Sequence, residues 1–197
     1  VTGLAWSRSG RRLATSSYGG VRLWNVEKGA LDGELPWKGS LISLAWSPDE
    51  KVVAAGSQDC SVHFWRLATE QDSQMTGYTF KPRALAWDAR SSLLATGGDA
   101  TITAWDFSGS GPEGSAPLQL EGHKTLATHL AFSPRKAVLA SASKDGSVLL
   151  WAPRRAKTPL AYGFLDDEVT GIAWHPEHRS LAAIDAGGNV LCWYPPG

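Results

Sequence analysis

Tryptophan placement constrains this chain more than any other feature. Ten Trp occur in 197 residues, and nine of them fall into two registers. The first ends a short apolar alternation: Leu4-Ala5-Trp6, Leu44-Ala45-Trp46, Leu85-Ala86-Trp87, Leu130-Ala131-Phe132 and Ile172-Ala173-Trp174. The second closes another: Val21-Arg22-Leu23-Trp24, Val62-His63-Phe64-Trp65, Ile102-Thr103-Ala104-Trp105, Val148-Leu149-Leu150-Trp151 and Val190-Leu191-Cys192-Trp193. From first to second register the gap is 18, 19, 18, 19 and 19 residues, and successive first-register aromatics lie 40, 41, 45 and 42 apart. This is an internal repeat in the period range of propellers and solenoids. The units are expected at approximately 1–25, 26–66, 67–106, 107–152 and 153–194.

Each unit reads as short strands. Alternation of period two marks the first, and breaker residues follow, as in Ser47-Pro48-Asp49, Ser133-Pro134-Arg135 and His175-Pro176-Glu177. A small-residue strand comes next (Leu13-Ala14-Thr15, Val53-Ala54-Ala55, Leu94-Ala95-Thr96, Leu139-Ala140-Ser141, Leu181-Ala182-Ala183), then a tight Gly/Asp/Ser turn into the Trp-terminated strand. Room for a fourth strand remains at 30–35, 74–79, 117–120 and 159–164. No window sustains helical apolar spacing, so the fold class is all-β. One sheet with two apolar faces cannot bury both alone. Stacking therefore places Trp6, Trp24, Trp46, Trp65, Trp87, Trp105, Phe132, Trp174 and Trp193 in a repeat core, with small residues letting neighbouring sheets approach.

The unit resembles the WD40 repeat, most closely in its fourth copy: Gly122-His123, Leu130-Ala131-Phe132-Ser133-Pro134, Leu139 to Gly146 and Leu150-Trp151. Trp105-Asp106 is the pair that gives that family its name. The chain also resembles bacterial WD40 proteins of unassigned role. The resemblance implies a β-propeller and a hydrogen-bonded structural tetrad of His123, Ser141, Asp145 and Trp151. Other copies depart from it: Trp37, Tyr78 and Phe164 stand in the His slot, and Thr15, Ala55, Thr96 and Ala183 in the Ser slot. WD40 propellers usually have seven blades, about 280–300 residues. Five repeats are therefore expected to form an open partial ring, a fragment whose edges missing blades or a second copy would cap. A closed five-bladed ring is the alternative.

Nineteen Lys+Arg balance nineteen Asp+Glu, which gives no overall attraction to nucleic acid or anionic membrane. Two cysteines, Cys60 and Cys192, exclude a disulfide scaffold and a four-thiolate zinc module. Residues 109–114 fit a Gly-rich phosphate loop, but Pro112 interrupts them and no helix follows. Ser141 and Lys144 fit an acyl-enzyme spacing within a strand and turn rather than at a helix start. His175 and His178 flank a Pro turn without a third ligand, and Asp166-Asp167-Glu168 lacks the frame of a Ca²⁺ loop. No catalytic residue, metal or cofactor is assigned.

By the same resemblance, turns between second and third strands share one face with the connections into the first strand. That candidate partner-binding face holds Tyr18, Lys38, Gln58, Lys81, Arg83, Asp99, Lys124, Lys144, Asp166, Asp167, Glu168 and Asp185. It is basic over blades two to four and acidic near blade five, which suits steering of a charged segment. By the same resemblance Arg8, Arg11, Arg12, Arg90, Arg135, Lys136, Arg154, Arg155, Lys157 and Arg179 gather on the opposite face, diluted by Asp49, Glu50, Glu70, Asp72, Glu113 and Glu177 and without the interleaved aromatics that stack single strands. The expected function is a non-enzymatic protein–protein interaction scaffold in the cytoplasm, binding another protein or peptide. The alternatives are a regulatory propeller attached to a catalytic domain elsewhere, and a small-ligand or metal-sensing propeller.

Overall fold

The structure is a computed structural model that describes residues 1–177 and 180–194, so His178 and Arg179 lie outside the described residues. It forms two compact units, Val1–Leu85 and Ala86 onward. Unit 1 holds β1 (Gly3–Trp6), β2 (Arg12–Asn25), β3 (Ala30–Trp46), β4 (Val52–Ser57), β5 (Val62–Arg66) and β6 (Gln71–Met75), hydrogen-bonded in that order. Unit 2 continues from β7 (Ala84–Trp87) with β8 (Leu93–Gly97), β9 (Thr101–Asp106) and β10 (Leu118–Glu121) in one antiparallel sheet. A second sheet follows: β11 (Ala127–Phe132), β12 (Leu139–Ser143), β13 (Ser147–Trp151) and β14 (Ala161–Phe164). The third has β15 (Val169–Trp174), β16 (Leu181–Asp185) and β17 (Val190–Trp193).

In unit 1 the repeat boundaries run through continuous strands. β2 doubles back near Gly19 and Gly20, both at positive φ, so that Val26 N–H reaches the Arg11 carbonyl and Trp24 Nε1 donates to Thr15 Oγ1 at 3.0 Å. β3 is shared: Ala30 to Ser40 pair with β2, and Leu41 to Trp46 pair with β4. The fourth strand of one repeat thus runs directly into the first strand of the next.

The breaker turns all close in one way. Backbone N–H groups of Ser7, Ser47, Asp88, Ser133 and His175 donate to the carbonyls of Arg12, Val52, Leu93, Val138 and Ser180, at 2.8–2.9 Å. In three copies the first residue's side chain also accepts from the strand that follows: Ser7 from Arg12 N–H, Ser47 from Val52 N–H and Asp88 from Leu93 N–H. This is why Ser and Asp occupy that position.

Small and large residues divide the packing as their sizes require. Ala54, Ala55, Ala95, Ala104, Ala140 and Ala142 are fully buried in central strands. Trp46, Trp65, Trp87, Trp105 and Trp151 are buried, whereas Trp24, Phe132, Trp174 and Trp193 are half-buried. Trp6 corrects the expectation of a uniform core: it is 58% exposed on β1. Two first-register indoles also tie consecutive repeats together. Trp46 Nε1 donates to the Ala5 carbonyl at 3.0 Å, and Trp174 Nε1 to the Ala131 carbonyl at 2.9 Å. Donor and acceptor sit one repeat apart at matching positions.

Candidate functional site

The fourth repeat contains a buried polar chain. Ser141 on β12 and Trp151 on β13 lie on adjacent strands, and His123 enters from the loop after β10. Gly122 is what lets that loop in, because a Cβ there would sit 2.8 Å from the Trp151 ring. Trp151 Nε1 donates to Ser141 Oγ at 2.8 Å; Ser141 Oγ lies 2.7 Å from His123 Nε2, and His123 Nδ1 lies 2.6 Å from Ser147 Oγ. Ser147 Oγ then donates to Asp145 Oδ1.

The direction of the chain follows from its ends. An indole N–H only donates and an ionised carboxylate only accepts. Ser147 therefore gives its proton to Asp145 and accepts from His123 Nδ1–H. Ser141 accepts from Trp151 and donates to His123 Nε2. Burial holds the His123 imidazole down at about 4, against the attraction of Asp145, so the ring is neutral at pH 7. Burial opposes ionisation of Asp145, but hydrogen bonds from the Ser147 hydroxyl and amide and from the Lys124 amide outweigh it and keep the carboxyl below its ordinary range. The expected set of four is thus corrected to five, since Asp145 reaches His123 only through Ser147.

The second repeat solves the same packing problem with rings. Ala55 offers no hydroxyl; Trp37 stacks on His63 at 3.9 Å, and His63 meets Trp65 edge-on at 4.6 Å. His63 is 2% exposed, and its Nε2 lies 2.9 Å from Asp72 Oδ2, outside the angle of a good hydrogen bond. Burial lowers its basicity more than Asp72 raises it. The pairing of His63 with Trp37 depends on two segments 26 positions apart, which the repeat spacing does not reveal.

The loops of the expected partner face come together within each unit. In unit 1, Tyr18 pairs with Ser40 and Gln58 N–H donates to the Ser40 carbonyl at 2.9 Å. Ser43 Oγ donates to the Pro82 carbonyl at 2.7 Å, which anchors the segment carrying Lys81 and Arg83. Tyr18, Lys38, Gln58, Lys81 and Arg83 are all exposed. In unit 2, Ala127 N–H donates to the Asp99 carbonyl, Lys144 N–H to the Leu126 carbonyl and Ala186 N–H to the Glu168 carbonyl. Lys124, Lys144, Asp166 and Asp167 are exposed there and Asp99 is half-buried, while Lys144 and Glu168 pair at 3.3 Å. Asp185 is a correction: it is 5% exposed, and its carboxylate accepts from the Asn189 amide and side chain, both at 2.8 Å, to close its own turn. Among the described residues no group of three or more His, Cys, Asp or Glu could hold a metal ion.

The family model described as "WD domain, G-beta repeat" matches residues 1–25, 31–66, 70–106 and 114–152. The chain belongs to the WD40-repeat family. Among curated relatives, human Coronin-7 is 30% identical over 135 residues, 63% of this chain and 14% of that protein. WD repeat-containing protein slp1 of Schizosaccharomyces pombe is 25% identical over 77% of this chain and 32% of its own length. The probable cytosolic iron-sulfur protein assembly protein 1 of Mycosarcoma maydis is 34% identical over 55% of this chain and 21% of its own. The chain thus spans a minor share of these relatives. A chain in the crystal structure of the mitotic checkpoint complex aligns with TM-score 0.84 at 21% identity, over 98% of this chain and 60% of that one. That likeness shows the fold, all-β and of WD40 propeller type.

Proposed function

We propose that this part of the protein is a non-enzymatic interaction scaffold that binds another protein or peptide through the loops around Tyr18, Lys38, Gln58, Lys81 and Arg83 in unit 1 and Asp99, Lys124, Lys144, Asp166 and Asp167 in unit 2. The carrying observation is that charged, exposed loops sit at the strand ends above a buried polar chain or an aromatic stack, and that the Ser141–His123–Ser147 contacts of that chain are themselves buried. Rigid sheets that present variable loops suit recognition. His123, Ser141, Asp145, Ser147 and Trp151 act as a brace for these loops, since Asp145 also holds the Lys124 amide. Residues 153–194 form a fifth repeat, a reading supported by the first-to-second-register gap and by the shared closing bond of the His175 turn.

No helix among the described residues is long and apolar enough to cross a membrane. The test is proximity crosslinking from a photoreactive group placed at Lys81 or at Lys124, in cells that make the protein. One specific partner captured from these positions, and lost with Lys81→Glu/Arg83→Glu or with Lys124→Glu, is the expected result. Equal capture from a group placed at Glu27 would refute the assignment of the face.

A further inference from the structure

Five of the cations gathered on the second face by sequence do not scatter over the surface of unit 2 but line one cavity. It has a volume of about 460 Å³ and lies between the turn after β7 and the turns after β11 and β13. Arg90, Arg135, Lys136, Arg154 and Arg155 ring it, and Ala89, Ala137, Val138, Ala152 and Leu160 supply an apolar lining.

Only one of the five cations is in a direct ion pair among the described residues. Arg154 makes a two-pronged pair with Asp106, at 2.7 and 3.0 Å, and reaches the Ser92 carbonyl at 3.3 Å. That pair fixes the third repeat's β9 end against the fourth repeat's turn, so both walls of the cavity are held in place. The one carboxylate in the lining, Asp88, is already committed to the Ser92 amide and hydroxyl and the Leu93 amide, at 2.6, 2.8 and 2.9 Å. Arg90, Arg135, Lys136 and Arg155 are exposed and pair with no carboxylate among the described residues. Five cations set against the two carboxylates of Asp88 and Asp106 leave the cavity with an excess of positive charge, and an anionic ligand relieves the repulsion among them.

We propose that this cavity docks an acidic peptide segment, with Asp or Glu carboxylates on Arg90, Arg135, Lys136 and Arg155 and an aliphatic side chain against Val138 and Leu160. Three observations select this occupant. The cations come from three separate turns, which fits several carboxylates along an extended chain better than one compact dianion. Guanidinium forks match carboxylates two bonds at a time. No aromatic ring lines the cavity, so nucleic-acid bases have nothing to stack on, and the apolar lining needs a side chain that nucleic acid lacks. The cavity sits at the Trp151 end of β13, away from the Ser147 end that carries the proposed partner face, so failure of either assignment leaves the other standing.

The test is fluorescence anisotropy on the 197-residue chain with a short labelled peptide of Glu and Asp around one Leu. Expected are saturable binding that weakens as salt rises, and a loss of about tenfold or more in Arg135→Glu/Lys136→Glu, equivalent to two charge contacts. Arg8→Glu/Arg11→Glu, the same change in net charge made in unit 1, should shift affinity less than twofold. Should the first variant unfold, Arg90→Ala/Arg155→Ala carries the same expectation. Equal losses from the cavity and unit 1 variants, equal binding of a Gln/Asn version of the peptide, or tighter binding of an oligothymidylate would each overturn the proposal.

Discussion

Replacing Ser141 with alanine removes one oxygen and strands two buried groups. The hydroxyl accepts from Trp151 Nε1 at 2.8 Å and contacts His123 Nε2 at 2.7 Å, and Trp151 is fully buried. Both neighbours are held by their own elements, the indole by the sheet and the imidazole by Ser147, so neither can turn to water. A buried polar atom left without a partner costs roughly 1–3 kcal/mol. Two of them set the expected loss at about 2–6 kcal/mol, a large share of a typical total stability of about 5–15 kcal/mol. In a domain of this size that corresponds to about 4–24 °C in melting temperature. Urea unfolding followed by tryptophan fluorescence and by circular dichroism measures it. Lys144→Ala, which breaks only the exposed pair with Glu168, serves as control and should stay within about 0.5 kcal/mol. A Ser141→Ala protein as stable as that control would refute the relay as described.

Further outcomes follow from the same geometry. Trp46→Phe deletes the indole N–H that reaches the Ala5 carbonyl and should cost about 1 kcal/mol in chemical denaturation, whereas Phe132→Trp offers no such bond to lose. Acid should weaken unit 2: His123 sits near 4 in the fold against an ordinary 6.5, so the unfolded chain takes up the proton first as pH falls. Stability is therefore whole above about pH 6.5 and drains away toward pH 4, by at most about 3 kcal/mol, and His123→Gln should flatten that slope in urea midpoints measured across the range. Asp106→Asn should weaken its exposed pair with Arg154 and cost about 0.5–1 kcal/mol, a coupling that a double-mutant cycle with Arg154→Ala reads directly.

The repeat was legible because burial of large rings against small residues demands a fixed spacing, and the spacing survives in one dimension. The fourth strands were placed within a few residues, for example 159–164 against Ala161–Phe164. Less visible were the elements that depend on two distant segments. Ser147 looks like an ordinary turn residue until His123 is brought above it, 24 positions away. Asp185 shares its slot with exposed turn residues, but Asn189 four positions on supplies donors that draw the carboxylate inward. Trp6 obeys the pattern of its register and is nevertheless exposed, since pattern specifies which side of a strand is apolar but not what covers it. Charge behaved likewise: a list of basic residues gives no hint that five of them share a cavity while one is spoken for by Asp106.

The indole bonds between sheets have a polarity in time as well as space. Trp46 depends on a carbonyl made forty-one residues earlier, and Trp174 on one made forty-three earlier. A ribosome working from the amino end therefore always delivers the receiving group before the ring that needs it. The second repeat can therefore dock on the first, and the fifth on the fourth, without waiting for any later part of the chain.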